Sequence, residues 1–265
     1  PAPERRRALR AIRRAETVNV QFARAPHEMP GLRTLPLLRR SSNSVTGRTG
    51  PEKPIVAECL DVLAAEASSR SIPYIGLANS DIIFTQEAVD WVASGGREAC
   101  LFSREDFDPE TRRPAGMQLA GIDVVAFATS WWQANRRRFR SYILGEICWD
   151  NVFGAIVMCH ADAAIENRRP LVRHELHASA TGPSPHFGEY TRLLTALDAP
   201  YFSLWCRYWD GLRRRREAGA TEEEERAWAR EVFTWPPPPA ARLIQAARSA
   251  KARSRYALRR MRPNA

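Results

Sequence analysis

Apolar residues in this chain come in short bursts, and their spacing alternates between two residues and three to four. Residues 17–23 (TVNVQFA) alternate apolar and polar, the period of a half-buried strand. Residues 55–66 carry apolar positions at helical spacing, with Pro54 placed as a first helical residue. A β-rich run follows at 72–77, and a short helix at 86–94 is stopped by Gly95 and Gly96. Strands are predicted at 99–103, 122–128, 163–166 and 171–173, and a strongly apolar helix at 152–159. From Glu189 onward the pattern is helical. The acidic run at 222–225 sits near a helix start, where negative charge is favoured. Prolines 236–239 predict a stiff polyproline II spacer.

Strands alternating with helices over 17–173 predict an α/β fold with a mixed, mostly parallel central sheet flanked by helices, followed by a helical C-terminal extension. Four segments are expected: a basic N-terminal stretch (1–16), the α/β domain (17–200), a helical extension packed on it (201–235), and the proline spacer with a basic tail (236–265). No internal repeat is present.

Charge changes this picture at the ends only. The chain of 265 residues has a net charge of +10. Residues 1–14 contribute +5 and residues 242–262 contribute +8, which leaves the body at −3. The basicity therefore does not line a groove across the fold, and no specific nucleic acid is expected as partner. Basic tails of this kind suit an anionic membrane surface, an acidic partner or plain solvation. No run of about 18 apolar residues spans a bilayer, and no apolar signal region follows the basic start, so a cytoplasmic location, peripheral at the inner face of the membrane, is expected. Five scattered cysteines without a CxxC pair fit reduced, packing thiols.

Familiar catalytic signatures are missing: there is no GxxxxGK[ST], no GxGxxG, no GxSxG and no HExxH. What remains is a set of polar residues at predicted strand ends. The run Tyr74-Ile-Gly-Leu-Ala-Asn79-Ser80-Asp81 ends an apolar strand in a carboxylate. Asp81 there either binds Mg²⁺ or Mn²⁺, with Asn79 orienting the same ligand, or caps the turn before the next helix. Asp150 opens a helix between Trp149 and Asn151, four residues after Glu146; it is either a general base with an aromatic neighbour for a sugar face or an N-cap. His174 and His177 are candidate metal ligands or hydrogen-bonded loop histidines, and a zinc set of Cys159, His160, His174 and His177 has no usual structural spacing. Arg104 and Asp123, near strand ends, either face the cleft of Asp81 or form an ordinary ion pair.

Taken in order, Ile-Pro-Tyr-Ile-Gly-Leu-Ala-Asn79-Ser80-Asp81, Phe102-Ser-Arg104-Glu-Asp106, Gly121-Ile-Asp123-Val-Val-Ala-Phe127, Leu144-Gly-Glu146-Ile-Cys-Trp149-Asp150-Asn151 and His174-Glu-Leu-His177 resemble nucleotide-diphospho-sugar transferases of the GT-A fold, in a bacterial glycosyltransferase-like group. The resemblance covers roughly residues 17–200. It implies glycosyl transfer from a nucleotide-diphosphate sugar to a glycan or glycolipid hydroxyl, with Mn²⁺ or Mg²⁺ as cofactor. Asp81 takes the place of the second acid of a DxD motif, with Asn79 at the first. His174 or His177 matches a late metal ligand, and Asp150 the acceptor base, with Glu146 as fallback. Arg104, Asp123, Trp149 and Asn151 would line the donor and acceptor site, and Phe22 and Arg24 the nucleotide base. The rival expectation is a non-catalytic module of the same shape acting through its basic tails. The two separate on whether the histidines converge with Asp81 and Asp150.

Overall fold

The strands and helices that the apolar spacing predicts are present, but four further strands, Arg33–Leu38, Ile82–Phe84, Arg104–Phe107 and Pro114–Gln118, lie where it predicts none. The computed structural model describes residues 15–24, 31–78, 81–119, 121–176, 187–236 and 239–260. β1 (Val18–Phe22) and β2 (Arg33–Leu38) are followed by the short α1 (Ser42–Thr46), α2 (Val56–Ser69), β3 (Tyr74–Ala78), β4 (Ile82–Phe84) and α3 (Gln86–Ser94). Next come β5 (Ala99–Phe102), β6 (Arg104–Phe107), β7 (Pro114–Gln118), β8 (Val124–Ala128) and α4 (Thr129–Asn135). The second half holds α5 (Trp149–His160), β9 (Ala163–Glu166), β10 (Val172–Glu175), α6 (Gly188–Leu197), α7 (Ala199–Glu217), α8 (Glu222–Val232) and α9 (Pro239–Arg260).

The mixed α/β class is as expected, but the strand pairing is not mostly parallel. One four-stranded sheet has the order β3-β8-β5-β9, and a second has the order β4-β10-β6-β7. In the first, β8 runs antiparallel to both β3 and β5, and only β5–β9 is parallel. In the second, β10–β6 is parallel while β4 and β7 pair antiparallel. β1 and β2 form a separate parallel pair. Equal apolar runs on β3, β5 and β8 declare burial but not direction, so sequence spacing could not tell the two pairings apart.

The two larger sheets are joined by the chain itself. β5 is buried along its whole length and passes through the buried Ser103 straight into β6, which belongs to the other sheet. β3 belongs to the first sheet and β4 to the second, with Asp81 just before β4. Polar residues collect at these passages because the second sheet is only partly covered.

Local signals explain the helix starts. The Thr85 side chain accepts from the Ala88 N–H and starts α3 at the predicted residue. Thr221 and Glu224 form a reciprocal capping box at α8, which accounts for the acidic run there. Pro54 is not helical: its carbonyl accepts from the Leu144 N–H at 2.9 Å and Ile55 bridges Ile143, so α2 starts at Val56 and not at the proline. The proline spacer is also shorter than expected, because Pro239 is already the first residue of α9; Pro237 and Pro238 lie outside the described residues.

One core runs from α2 and β8 to the C-terminal helices. Val56, Leu60, Val125, Phe127, Phe153 and Trp205 belong to a single buried cluster that reaches Trp228 and Phe233. α7 approaches α5 at Gly154, where an added Cβ would stand 2.6 Å from the Trp205 ring. Glu225 of α8 is buried and accepts from Arg168 at 2.8 Å and Arg216 at 2.9 Å, fastening α8 to the turn after β9. All five cysteines are free; Cys59 and Cys100 are buried, but Cys206 is exposed on α7 and does not pack as expected. We predict that Gly154→Ala destabilises the protein by about 1–3 kcal/mol in denaturant unfolding, because the rigid Trp205 ring cannot yield without moving α7.

Candidate functional site

The polar residues at the strand passages meet along one line across the two sheets. β6 and β10 are parallel neighbours in a register that sets His174 beside Asp106 and Arg173 beside Glu105. Alternation then sorts the side chains by face. Arg104 and Asp106, two apart, share one face with His174, while Arg173 and Glu105 pair at 3.1 Å.

His174 sits inside β10, not in a loop, and is buried. Its Nδ1 lies 3.0 Å from Asp106 Oδ1 and its Nε2 lies 3.2 Å from Asp81 Oδ2. Arg104 Nε donates to Asp106 Oδ1 at 2.8 Å, and Arg104 Nη1 donates to Asp123 Oδ1 at 2.7 Å. Asp123 precedes β8 and is buried. Its Oδ2 and Asp150 Oδ2 both flank Gly121, standing 3.8 and 3.7 Å from where a Cβ would be. The order is therefore Asp81, His174, Asp106, Arg104, Asp123, Asp150. Burial works against the Arg104 charge, but Asp123 and Asp106 outweigh it and its pKa is raised.

Asp150 lies in the first turn of α5, after Cys148, whose φ of 73° is unusual for a residue with a side chain. Burial pushes the Asp150 carboxyl up to about 6; the backbone N–H of Asn151 pulls the other way, and the Asp123 charge pushes up again. A carboxyl with that value changes charge close to neutral pH, as an acid–base group should.

Several expected site residues are elsewhere. Trp149 is buried, and its ring meets Phe153 edge-on at 5.8 Å, so it has no face to offer a sugar. Glu146 is buried against Lys53, with Nζ–Oε1 at 2.7 Å; this ion pair ties the 41–54 loop to the approach of α5 and removes Glu146 from the role of spare base. Arg24 pairs with Glu52 and covers the Phe22 ring at 5.1 Å, and none of the described contacts links either to the Asp81–Asp150 line. Asn151 occupies the first turn of α5 beside Asp150. Asn79 and His177 lie outside the described residues. The zinc set does not form among the described residues: His160 ends α5 and holds Tyr201 at 2.8 Å, whereas His174 is on β10. Sequence reasoning missed Asp106 as a site residue, although its two-residue spacing from Arg104 on a strand carried the signal.

The donor set tests the implied metal ion. Among the described residues no group of three or more His, Cys, Asp or Glu side chains forms a cage. Asp81 and His174 Nε2 do form an adjacent oxygen–nitrogen pair, and Asp106 holds the other ring nitrogen as outer carboxylates commonly do for metal-binding histidines. Asp81 and His174 would supply only two ligands of such an ion, and its remaining ligands would have to come from a bound phosphate group. A mixed oxygen–nitrogen pair suits Mn²⁺ better than Mg²⁺, which favours oxygen throughout. No protein family profile, curated protein or solved structure matches this chain.

The raised pKa of Asp150 yields a signed prediction. Its folded value of about 6 lies above the ordinary 3.8, so the ionised form is disfavoured on folding. The group thus destabilises the fold above about pH 6 and ceases to do so below about pH 4. Asp150→Asn is expected to stabilise the protein at pH 8 by on the order of 2 kcal/mol. That gain should shrink as pH falls through 6 and vanish near 4, as read from unfolding midpoints across pH.

Proposed function

We propose that the chain transfers a glycosyl group from a nucleotide-diphosphate sugar to an acceptor hydroxyl, on a GT-A-like arrangement of its sheets. One observation carries this reading: Asp81, His174, Asp106, Arg104, Asp123 and Asp150, drawn from five separate stretches of sequence, form a single line across the junction of two sheets. A half-buried line of charged groups, with His174 and Asp123 buried within it, is expected of a site for chemistry and not of a module that binds through its termini. The ordered likeness of the same stretches to GT-A enzymes supplies the reaction class.

Charge supports the same assignment. The line holds four carboxylates against one guanidinium. That excess of carboxylates alone would repel a diphosphate. The Asp81–His174 pair at one end is where a divalent cation fits, and bound there it would neutralise the departing diphosphate oxygen. Asp106 fixes the orientation of His174, and Arg104 fixes Asp106 and Asp123 together. Arg104 is thus a positioning residue here, since both carboxylates already occupy it.

At the other end Asp150 acts as base. The acceptor oxygen forms its bond to the anomeric carbon as the bond from that carbon to the diphosphate breaks. The acceptor proton passes to Asp150, and the nucleoside diphosphate leaves with the electron pair. Burial, with the Asp123 charge added to it, keeps the Asp150 carboxyl weakly acidic, so it holds the proton more readily than a solvent-exposed carboxylate.

Two measurements test the proposal. In a thermal-shift screen of nucleoside diphosphates and their sugars, at least one should raise Tm in the presence of Mn²⁺ by linkage, and Asp81→Ala or His174→Ala should abolish the rise. No rise with any donor would defeat the reading. For the responding donor, transfer or donor hydrolysis should increase with pH through about 6, and Asp150→Asn should lower kcat by about 10²–10⁴-fold while leaving the donor's Tm shift intact.

A further inference from the structure

The C-terminal helix α9 presents a second surface whose chemistry is separate from the Asp81–Asp150 line. Its sequence from Pro239 to Arg260 carries seven Arg or Lys residues and no acid, while the body of the chain is at −3. At 3.6 residues per turn, the half-buried positions Gln245, Ser249, Ala252 and Tyr256 fall on one side. That side docks on α6: Gln245 Nε2 donates to the Ala196 and Leu197 carbonyls at 2.8 and 3.2 Å, and the Tyr256 ring lies 6.2 Å from Tyr190.

The opposite side is the unusual one. Leu243, Ala247, Ala250 and Ser254 point outward and are exposed, and Leu243, at 74% exposure, is the most exposed large apolar side chain among the described residues. A helix built only for solvent places its charges at this outward pole. Here the charges flank it: Arg248, Lys251 and Arg255 run as an exposed stripe along one edge, and Arg253 stands on the other. Small apolar residues at the pole with cations on both shoulders allow shallow entry into a headgroup layer, with the long Arg and Lys stems reaching sideways to phosphates. A row of Ala with one Leu is too weakly apolar to hold a neutral bilayer alone, so the cations must find negative charge.

We propose that α9 lies flat on an anionic lipid bilayer, its Leu243–Ala247–Ala250–Ser254 pole in the headgroup layer and Arg248, Lys251 and Arg255 on lipid phosphates. This helix combines an exposed apolar side chain with flanking cations and no acid of its own. The proposal does not depend on the catalytic reading, because it is measured without donor or acceptor.

Vesicle co-sedimentation of the full chain tests it, using phosphatidylcholine with and without phosphatidylglycerol. Binding is expected only with phosphatidylglycerol and should fall as salt rises. Replacing Arg248, Lys251 and Arg255 together by Gln should weaken binding roughly a hundredfold, about fivefold for each cation. Ala250→Asp, which leaves every cation in place, should weaken it about tenfold through the pole. Circular dichroism and the unfolding midpoint should be unchanged in both variants, so that loss of binding is not loss of fold. The proposal fails if phosphatidylglycerol vesicles are not bound, or if binding survives the triple substitution, as it would if the basic residues 1–14 carried it. It also fails if Ala250→Asp binds vesicles normally while the chain binds single-stranded RNA equally well, which would make α9 a general polyanion surface.

Discussion

The guanidinium of Arg104 holds the two larger sheets to one another at the site. It donates to Asp106, on its own strand in the second sheet, and to Asp123, at the start of the central strand of the first. Each of these carboxylates then fixes something further. Asp106 orients His174 toward Asp81, and Asp123 stands opposite Asp150 across Gly121. A half-buried guanidinium shared by two carboxylates is weakened when either partner is lost, since part of its charge is then left uncompensated. The geometry at both ends of the line is therefore conditional on one side chain in the middle. Arg is the suitable residue because its planar fork can serve two acceptors in fixed directions, which a Lys ammonium cannot do as well.

Much of the fold was legible in the sequence, for particular reasons. α3 was visible because its helical spacing is stopped by Gly95 and Gly96, whereas its cap, Thr85, shows only in the structure. β9 was visible because its apolar run is short and has charged or polar neighbours. The strand directions were not, since β3, β5 and β8 are all apolar runs and spacing says nothing of antiparallel entry. Pro54 misled for a related reason: a proline can start a helix or end a bridge, and the hydrogen bond from Leu144 that decides it is distant in sequence. The spacer was overdrawn because Pro239 can equally open a helix, and α9 then has a partner in α6.

The site was legible in its residue types and less so in its connections. Asp81, Asp123, Asp150, Arg104 and His174 all stood out, and the structure joins them. Asp106 did not, because its role follows from the β6–β10 register, which no local pattern reveals. Glu146 and Trp149 attracted attention for their place beside Asp150, yet on entering a helix successive side chains diverge around the axis. Trp149 turns into the core and Glu146 is taken by Lys53, leaving Asp150 to face Asp123.

The passage of β5 through Ser103 into β6 has a consequence for how such a molecule can diversify. The first sheet and its helices contain most of the buried core, whereas the second sheet carries Asp106 and His174 and ends in the exposed hairpin of β6 and β7. Insertions in the turn between β6 and β7 leave the larger core untouched, because neither strand contributes a residue to it. Selection can thus reshape the rim around a bound ligand at small expense to folding, with Arg104 as the fixed point from which each new rim is built.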